Sequence, residues 1–239
     1  MRFDACASSY DENAKPQRFF AERVAQFINT SVAQQPRGAT SILELGAGTG
    51  ALTRCLCTLG CSAILATDAS PAMVRYGRTA VPAASWSVLD AFAGPIPSAA
   101  LQVSSGLLHW AREPADMLAR WKSFLPEGGR MIHAIPCDPC LAEWRAIVPD
   151  SPVLWRDAAG WRSVFITAGL QVCRSQLWTH QAVAYSAIEL VRGFHRSGVT
   201  GGVRIGPGRL RRALRDYDLR NRTPAGTVAT WAWLAIEAM

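Results

Sequence analysis

The segment Ser41-Ile-Leu-Glu-Leu-Gly-Ala-Gly-Thr-Gly-Ala-Leu-Thr53 constrains this chain more than any other. A short apolar run enters a turn with glycines at 46, 48 and 50, and a helical pattern leaves it. Glycine lacks Cβ, so the turn can bend tightly and bring backbone N–H groups against a ligand. Glu44 stands two residues before the first glycine. A carboxylate there faces the polar end of a ligand and favours one that carries positive charge.

The rest of the chain repeats the strand–turn–helix rhythm. Pro16 to Ala33 reads as an amphipathic helix, with Phe19, Phe20, Val24, Phe27 and Ile28 at helical spacing and Pro16 in its first turn. Strands are expected at Ser41–Leu45, Ala63–Thr67, Trp86–Leu89, Leu101–Ser104 and Arg130–Ile135. Between them lie helices at Ala51–Leu59, from Ser70-Pro71 onward, and at Pro114–Phe124. This alternation predicts an α/β fold with a doubly wound, mostly parallel, seven-stranded Rossmann-like sheet. Ligands of such sheets bind beyond the carboxyl ends of the strands. Glu44, Asp68, Asp90, Ser104 and Ser105 all fall on that rim.

Beyond Ile135 the pattern loosens. Pro136–Pro152 reads as a lid-like insertion, Asp157–Ala168 and Val183–His195 as helices, and Leu170–Trp178 as a strand between them. Gly198–Gly208 reads as a flexible loop, Arg209–Asn221 as a basic helix, and Thr227–Ile236 as a closing strand. The expected organisation is one domain over residues 1–239. Residues 1–40 form a helical lid, 41–135 the cofactor-binding core, and 136–239 a substrate- and partner-binding region.

Composition narrows the class. The chain is 49% hydrophobic, enough for a sizeable core, yet no apolar run approaches the roughly 20 residues that span a bilayer. Its first ten residues lack the apolar centre of a signal peptide, so the expected location is the cytoplasm. Seven cysteines are an odd number and are read as reduced, mostly buried thiols. Cys137-Asp-Pro-Cys140 has redox or zinc spacing, but no second pair stands at zinc-ribbon spacing, and no metal site is expected.

Gly46-Ala47-Gly48-Thr49-Gly50-Ala51 satisfies the dinucleotide fingerprint, and Asp68 lies at a distance suited to a ribose. The same residues satisfy an acid-x-G-x-G-x-G pattern that binds S-adenosylmethionine (SAM). A dinucleotide would bring its diphosphate close to Glu44, whereas SAM has no phosphate and carries positive charge at its sulfonium and amino groups. Asp68 followed by Ala69 can accept the ribose hydroxyls, with Met73 near the adenine. Asp90 followed by Ala91 can pair with the adenine edge. No Tyr-x-x-x-Lys pair of a dehydrogenase occurs.

These residues resemble the class I SAM-dependent methyltransferases over roughly Ser41 to Ile135. One departure is Ala100-Leu101-Gln102, where that family usually has a Phe-Asp pair. The flanks are more specific. Tyr10…Ala14…Gln17, Ser104-Ser105 through His109-Trp110, Arg192-Gly-Phe-His195 through Thr200, and Thr230-Trp-Ala-Trp-Leu-Ala-Ile-Glu237 resemble segments of the malonyl-[acyl-carrier protein] O-methyltransferases of biotin synthesis.

That resemblance implies SAM as cofactor and a malonyl-loaded acyl-carrier protein as partner. A malonyl carboxylate is ionised near neutral pH and needs no general base to attack a sulfonium methyl. Positioning is the requirement, and Tyr10, His109, Arg192 and His195 are its candidates. Gln17 is a candidate for the aminoacyl end of SAM.

The net charge of +7 is concentrated late, at Arg204, Arg209, Arg211, Arg212 and Arg215, with Leu210, Leu214 and Tyr217 as the buried side of their helix. This patch suits an acidic carrier protein. It lacks the interleaved aromatics of a nucleic-acid platform, and the chain is expected to be monomeric. Other readings are methylation of a small aconitate-like polycarboxylic acid, a basic RNA methyltransferase, and a SAM-binding protein without turnover.

Overall fold

The computed structural model describes residues 14–33, 40–61, 63–151, 153–196 and 205–239. Tyr10 and Arg204, and most of the glycine loop after His195, lie outside the described residues.

The first helix, α1 (Lys15–Val32), carries Pro16 in its opening turn and buries Phe20, Val24, Phe27 and Ile28. Next come β1 (Ser41–Leu45), α2 (Ala51–Leu56), β2 (Ala63–Asp68), α3 (Pro71–Ala80), β3 (Ser85–Val88), β4 (Leu101–Ser105), α4 (Pro114–Lys122) and β5 (Arg130–Pro136). The chain then forms α5 (Ala142–Arg145), α6 (Ala158–Thr167), β6 (Val172–Ala184), α7 (Ala187–Arg196), α8 (Pro207–Asn221), β7 (Arg222–Thr223) and β8 (Gly226–Ala238).

The sheet runs β3-β2-β1-β4-β5-β8-β6, with the two-residue β7 paired to β8. Strands β1 to β5 are parallel, and β8 is antiparallel to both β5 and β6. The order reverses between β1 and β4, and such a switch point opens a crevice at the carboxyl ends. Interior strands covered on both faces read as continuous apolar runs, which is why Ser41–Leu45 and Arg130–Pro136 are almost wholly buried. Helix α3 starts as its sequence dictates: Met73 donates its N–H to Ser70 Oγ at 3.1 Å, with Pro71 at the first helical position.

The structure departs from the sequence reading at several elements. The sixth strand does not end at Trp178. Thr179–Ala184 continues it, pairing with Ala232 through Thr227 of β8. The helix expected from Val183 therefore begins only at Ala187, where Leu190 donates its N–H to Ser186 O. Long cross-strand pairing overrides local helix preference there. Helix α2 stops at Leu56, because the next turns tighten to Thr58 N–H with Cys55 O and Leu59 N–H with Leu56 O. Helix α8 starts at Pro207 rather than Arg209 and buries Ala213 and Tyr217, with Leu210 and Leu214 only partly covered. The expected insertion at Pro136–Pro152 contains α5 and two buried thiols, Cys137 and Cys140.

Among the described residues, no helix is long and apolar enough to cross a membrane.

Candidate functional site

The glycine turn links β1 to α2 with left-handed backbone at Gly46, Gly48 and Gly50, at φ of 69°, 56° and 92°. Side chains rarely adopt this conformation, so the turn needs glycine for its shape alone. A Cβ at Gly46 would also meet Leu107 Cδ1 at 3.0 Å. Gly50 caps α2 and lines neither half of the cleft described below.

Two cavities meet at this turn. The larger, of about 230 Å³, runs from Gly46 and Gly48 past Asp68, Ala69, Ser70 and Met73 to Asp90, Ala91 and Phe92. The second is lined by Gln17, Glu44, Ala47, His109, Cys140, Trp155, Trp231 and Trp233, among others. Gly46, Gly48, Ser105, Gly106 and Trp110 belong to both walls, so the two halves form one bent cleft at the switch point.

Asp68 holds the turn in place. Its Oδ2 accepts the N–H of Gly48 and its Oδ1 the N–H of Ser70, each at 2.9 Å. Glu44 is buried and accepts the Thr53 hydroxyl at 2.7 Å. Burial pushes its carboxyl up to about 7, against the lowering effect of the Thr53 bond and with the Asp68 charge adding to the rise. Glu44 is therefore poised to ionise when positive charge arrives.

The loop at Asp90–Phe92 is clamped from behind by residues that no sequence motif marks. Arg120 donates to Ala91 O at 2.6 Å and Phe92 O at 3.1 Å, and Trp121 Nε1 donates to Ala91 O at 2.9 Å. Gln102, at the departure from the Phe-Asp pattern, is buried and donates to Trp121 O at 3.2 Å, supporting the same clamp.

Ser104 is not on the rim. It is fully buried, and its Oγ lies 2.8 Å from His133 Nδ1 within the sheet, so only Ser105 reaches the cleft. Strand pleating explains this, because successive side chains point to opposite faces. Arg192 and His195 lie on the exposed side of α7, while Phe194 turns inward, and neither is among the described residues lining the cleft. His109 does line it, but burial holds its imidazole down at about 3. It is neutral near physiological pH and can act only as a neutral hydrogen-bonding group. Arg209, Arg211, Arg212 and Arg215 are exposed on α8, with Arg209 paired to Asp150. Burial pushes the Cys137 and Cys140 thiols up to about 12, well away from a reactive thiolate.

Comparison with known proteins shows what this chain is similar to. Residues 42–129, from β1 to the turn before β5, match a family described as a methyltransferase domain. Residues 42–129 of the chain thus carry a methyltransferase domain. The biotin biosynthesis bifunctional protein BioCD of Bordetella avium is 30% identical over 235 residues, covering 91% of this chain and 48% of that protein. Trans-aconitate 2-methyltransferase of Mycobacterium ulcerans is 35% identical over 99 residues, covering 41% of this chain and 37% of that one. The chain thus spans about half the length, or less, of these curated relatives. The magnesium protoporphyrin IX methyltransferase of Synechocystis, solved with bound SAH, superposes with a TM-score of 0.59 at 12% identity, covering 94% of this chain and 85% of that one.

The larger half of the methyltransferase cleft fits SAM in its donor set. Asp68 supplies carboxylate oxygens at one side, while Met73, Leu89 and Phe92 offer an apolar slot for a flat ring. The glycine turn supplies backbone without Cβ, and Glu44 supplies a carboxyl that positive charge would ionise.

Proposed function

We propose that this chain transfers a methyl group from SAM to the free carboxylate of a malonyl thioester carried on an acyl-carrier protein, the entry step to biotin precursors. The observation that carries this reading is the extent of the BioCD match. It covers 91% of the chain, whereas the trans-aconitate relatives cover between 41% and 59%.

SAM supplies an electrophilic methyl on a sulfonium. The protein's part is to hold the acceptor oxygen in line with that methyl and to keep water out. In this reading Asp68, Ala69, Met73, Asp90 and Ala91 hold the nucleoside. Gln17, Glu44, Gly46, Ala47, Gly48 and Ser105 hold the aminoacyl end, and the acceptor enters the aromatic half of the cleft. No proton need be abstracted from an ionised carboxylate, which agrees with a neutral His109. Esterification masks the charge so that the acyl chain can enter apolar pockets.

Tyr10 and the region 1–40 are assigned a covering role in this proposal, and the exposed arginines of α8 the docking of an acidic carrier. The protein would work as a monomer in the cytoplasm, as one domain. A second reading is methylation of a small free polycarboxylic acid, favoured by the higher local identity to trans-aconitate 2-methyltransferases. Recovery of a methyl ester from labelled SAM and malonyl-loaded carrier protein tests the first reading, and trans-aconitate in the same assay tests the second.

A further inference from the structure

The aromatic half of the cleft combines two unusual properties. Its described wall contains no lysine or arginine. The guanidinium of Arg145 touches two residues of the wall, stacking on Trp155 at 4.7 Å and donating to Cys140 O at 3.0 Å, and it pairs with Asp138. Its charge is already committed.

The same wall also gathers four buried polar atoms that have no hydrogen-bond partner among the described residues. They are Nε1 of Trp231, Nε1 of Trp233, Nδ1 of His109 and Oε1 of Gln17. Buried polar groups are nearly always satisfied, so a cluster of exceptions in one wall marks a place where a ligand completes the bonding. An indole nitrogen can only donate. Trp231 and Trp233 alternate along β8 and so present their rings to one face of the sheet. Both are almost fully buried, at 4% and 3% exposure, and Trp233 is fixed by stacking on Phe20 at 5.1 Å. Two preorganised donors beside a neutral imidazole form a site for an acceptor-rich group.

We propose that the indole N–H groups of Trp231 and Trp233, with His109 beside them, bind the methyl acceptor, and that this half of the cleft admits an acceptor bearing a single ionised carboxylate. This rests on the carboxyl-methylation reading above and deepens it. Neutral donors can stabilise one carboxylate, which offers two oxygens to them. A tricarboxylate would bring further charges into a buried wall without a cation to meet them, and would have to leave most of its hydration behind. A malonyl thioester has one charge and a neutral tail, so it satisfies the wall without that penalty.

The test uses the full chain, SAH, malonyl-pantetheine and trans-aconitate. Indole N–H resonances of ¹⁵N-labelled protein are recorded with SAH, assigned by their loss in Trp231→Phe and Trp233→Phe, and followed on adding each acceptor. The expected result is a downfield shift of both signals with malonyl-pantetheine. Each variant should raise the KM for malonyl-pantetheine about tenfold or more, with SAH affinity unchanged. Wild-type kcat/KM should favour malonyl-pantetheine over trans-aconitate by on the order of a hundredfold. If the Phe variants do not fold, benzothienylalanine at either position keeps the ring shape and removes only the N–H. Unmoved indole signals with an enzyme that does methylate malonyl-pantetheine would overturn the subsite and leave the function standing. Equal use of trans-aconitate would overturn the single-charge limit. Shifted signals without any methyl ester would support the subsite and sink the function.

Discussion

Asp68 Oδ2 accepts the backbone N–H of Gly48 at 2.9 Å, tying the end of β2 to the glycine turn that follows β1. Its other oxygen takes Ser70 N–H, so one carboxylate fixes two loops of the cofactor half before any ribose is bound. A carboxylate oxygen can accept more than one hydrogen bond, which leaves capacity for hydroxyls as well. Asp68→Asn keeps the size but replaces one acceptor by a donor that faces N–H groups. We expect SAM affinity to fall by about 1.5–3 kcal/mol, the range for a hydrogen bond to a charged group, as read by calorimetry. An unchanged affinity would remove Asp68 from the ribose site.

Glu44 gives a pH signature. Its carboxyl titrates at about 7 in the free protein instead of near 4.5, chiefly because of burial. A cationic ligand binds the ionised form, so SAM affinity should rise as pH is raised from about 6 to about 8, with a proton released on binding below that range's upper end. Glu44→Gln should bind more weakly and lose this part of the pH dependence. For folding the sign is opposite. Between about 4.5 and about 7 the folded state keeps a proton that the unfolded state has lost, so Glu44 lowers stability as pH rises through that window. Glu44→Gln should remove that slope from the denaturation curve.

Glu237 works in the other direction. Burial alone would raise its carboxyl, but hydrogen bonds from Arg174 at 2.5 Å, Ser31 at 2.8 Å and Arg130 at 3.0 Å outweigh it and hold it below the ordinary range. Its stabilisation is present above the unfolded-state pKa and is lost as pH falls through the lowered folded value. Glu237→Ala should cost about 2–3 kcal/mol in urea denaturation near neutral pH. This is below the figure for a fully buried pair, because the two arginine side chains retain 32% and 34% exposure. The network joins α1, β5, β6 and β8, so the loss should appear as a shift in midpoint rather than as fraying of one element.

The way these parts show in the sequence differs by range. The glycine turn, Glu44, Asp68 and the Ser70-Pro71 helix start are local signals, because turn shape and capping are decided by neighbouring residues. The placement of Ser104 depended on which side of a pleat it faces, and one residue of register sends a side chain to the other face. The Val183–His195 helix failed for a similar reason. Ala182, Val183 and Ala184 suit either state, and only their pairing with Ala229, Val228 and Thr227 settles it. Arg120 and Trp121 carried no motif at all, and Trp231 and Trp233 stood in the resembling closing segment without any site role attached to them. Their importance comes from neighbours brought together across the sheet, although two tryptophans at alternate positions of a closing strand were a visible hint.

The arginines of α8 are exposed, and Arg211 and Arg215 lie one turn apart. If they dock an acidic carrier, Arg211→Glu with Arg215→Glu should raise the KM for carrier-bound substrate about tenfold or more, and this effect should weaken at high salt. Turnover of malonyl-pantetheine should stay within about twofold, since no α8 arginine lines the cleft among the described residues. Equal losses on both substrates would contradict a docking role.

The most direct measurement is product analysis after incubating the protein with methyl-labelled SAM and malonyl-loaded acyl-carrier protein. The account predicts label in a base-labile methyl ester on the malonyl group, formed catalytically and absent when the carrier bears an acetyl group instead. SAM binding with no label on the malonyl carboxylate, or label appearing equally on the acetyl-loaded carrier, would contradict it.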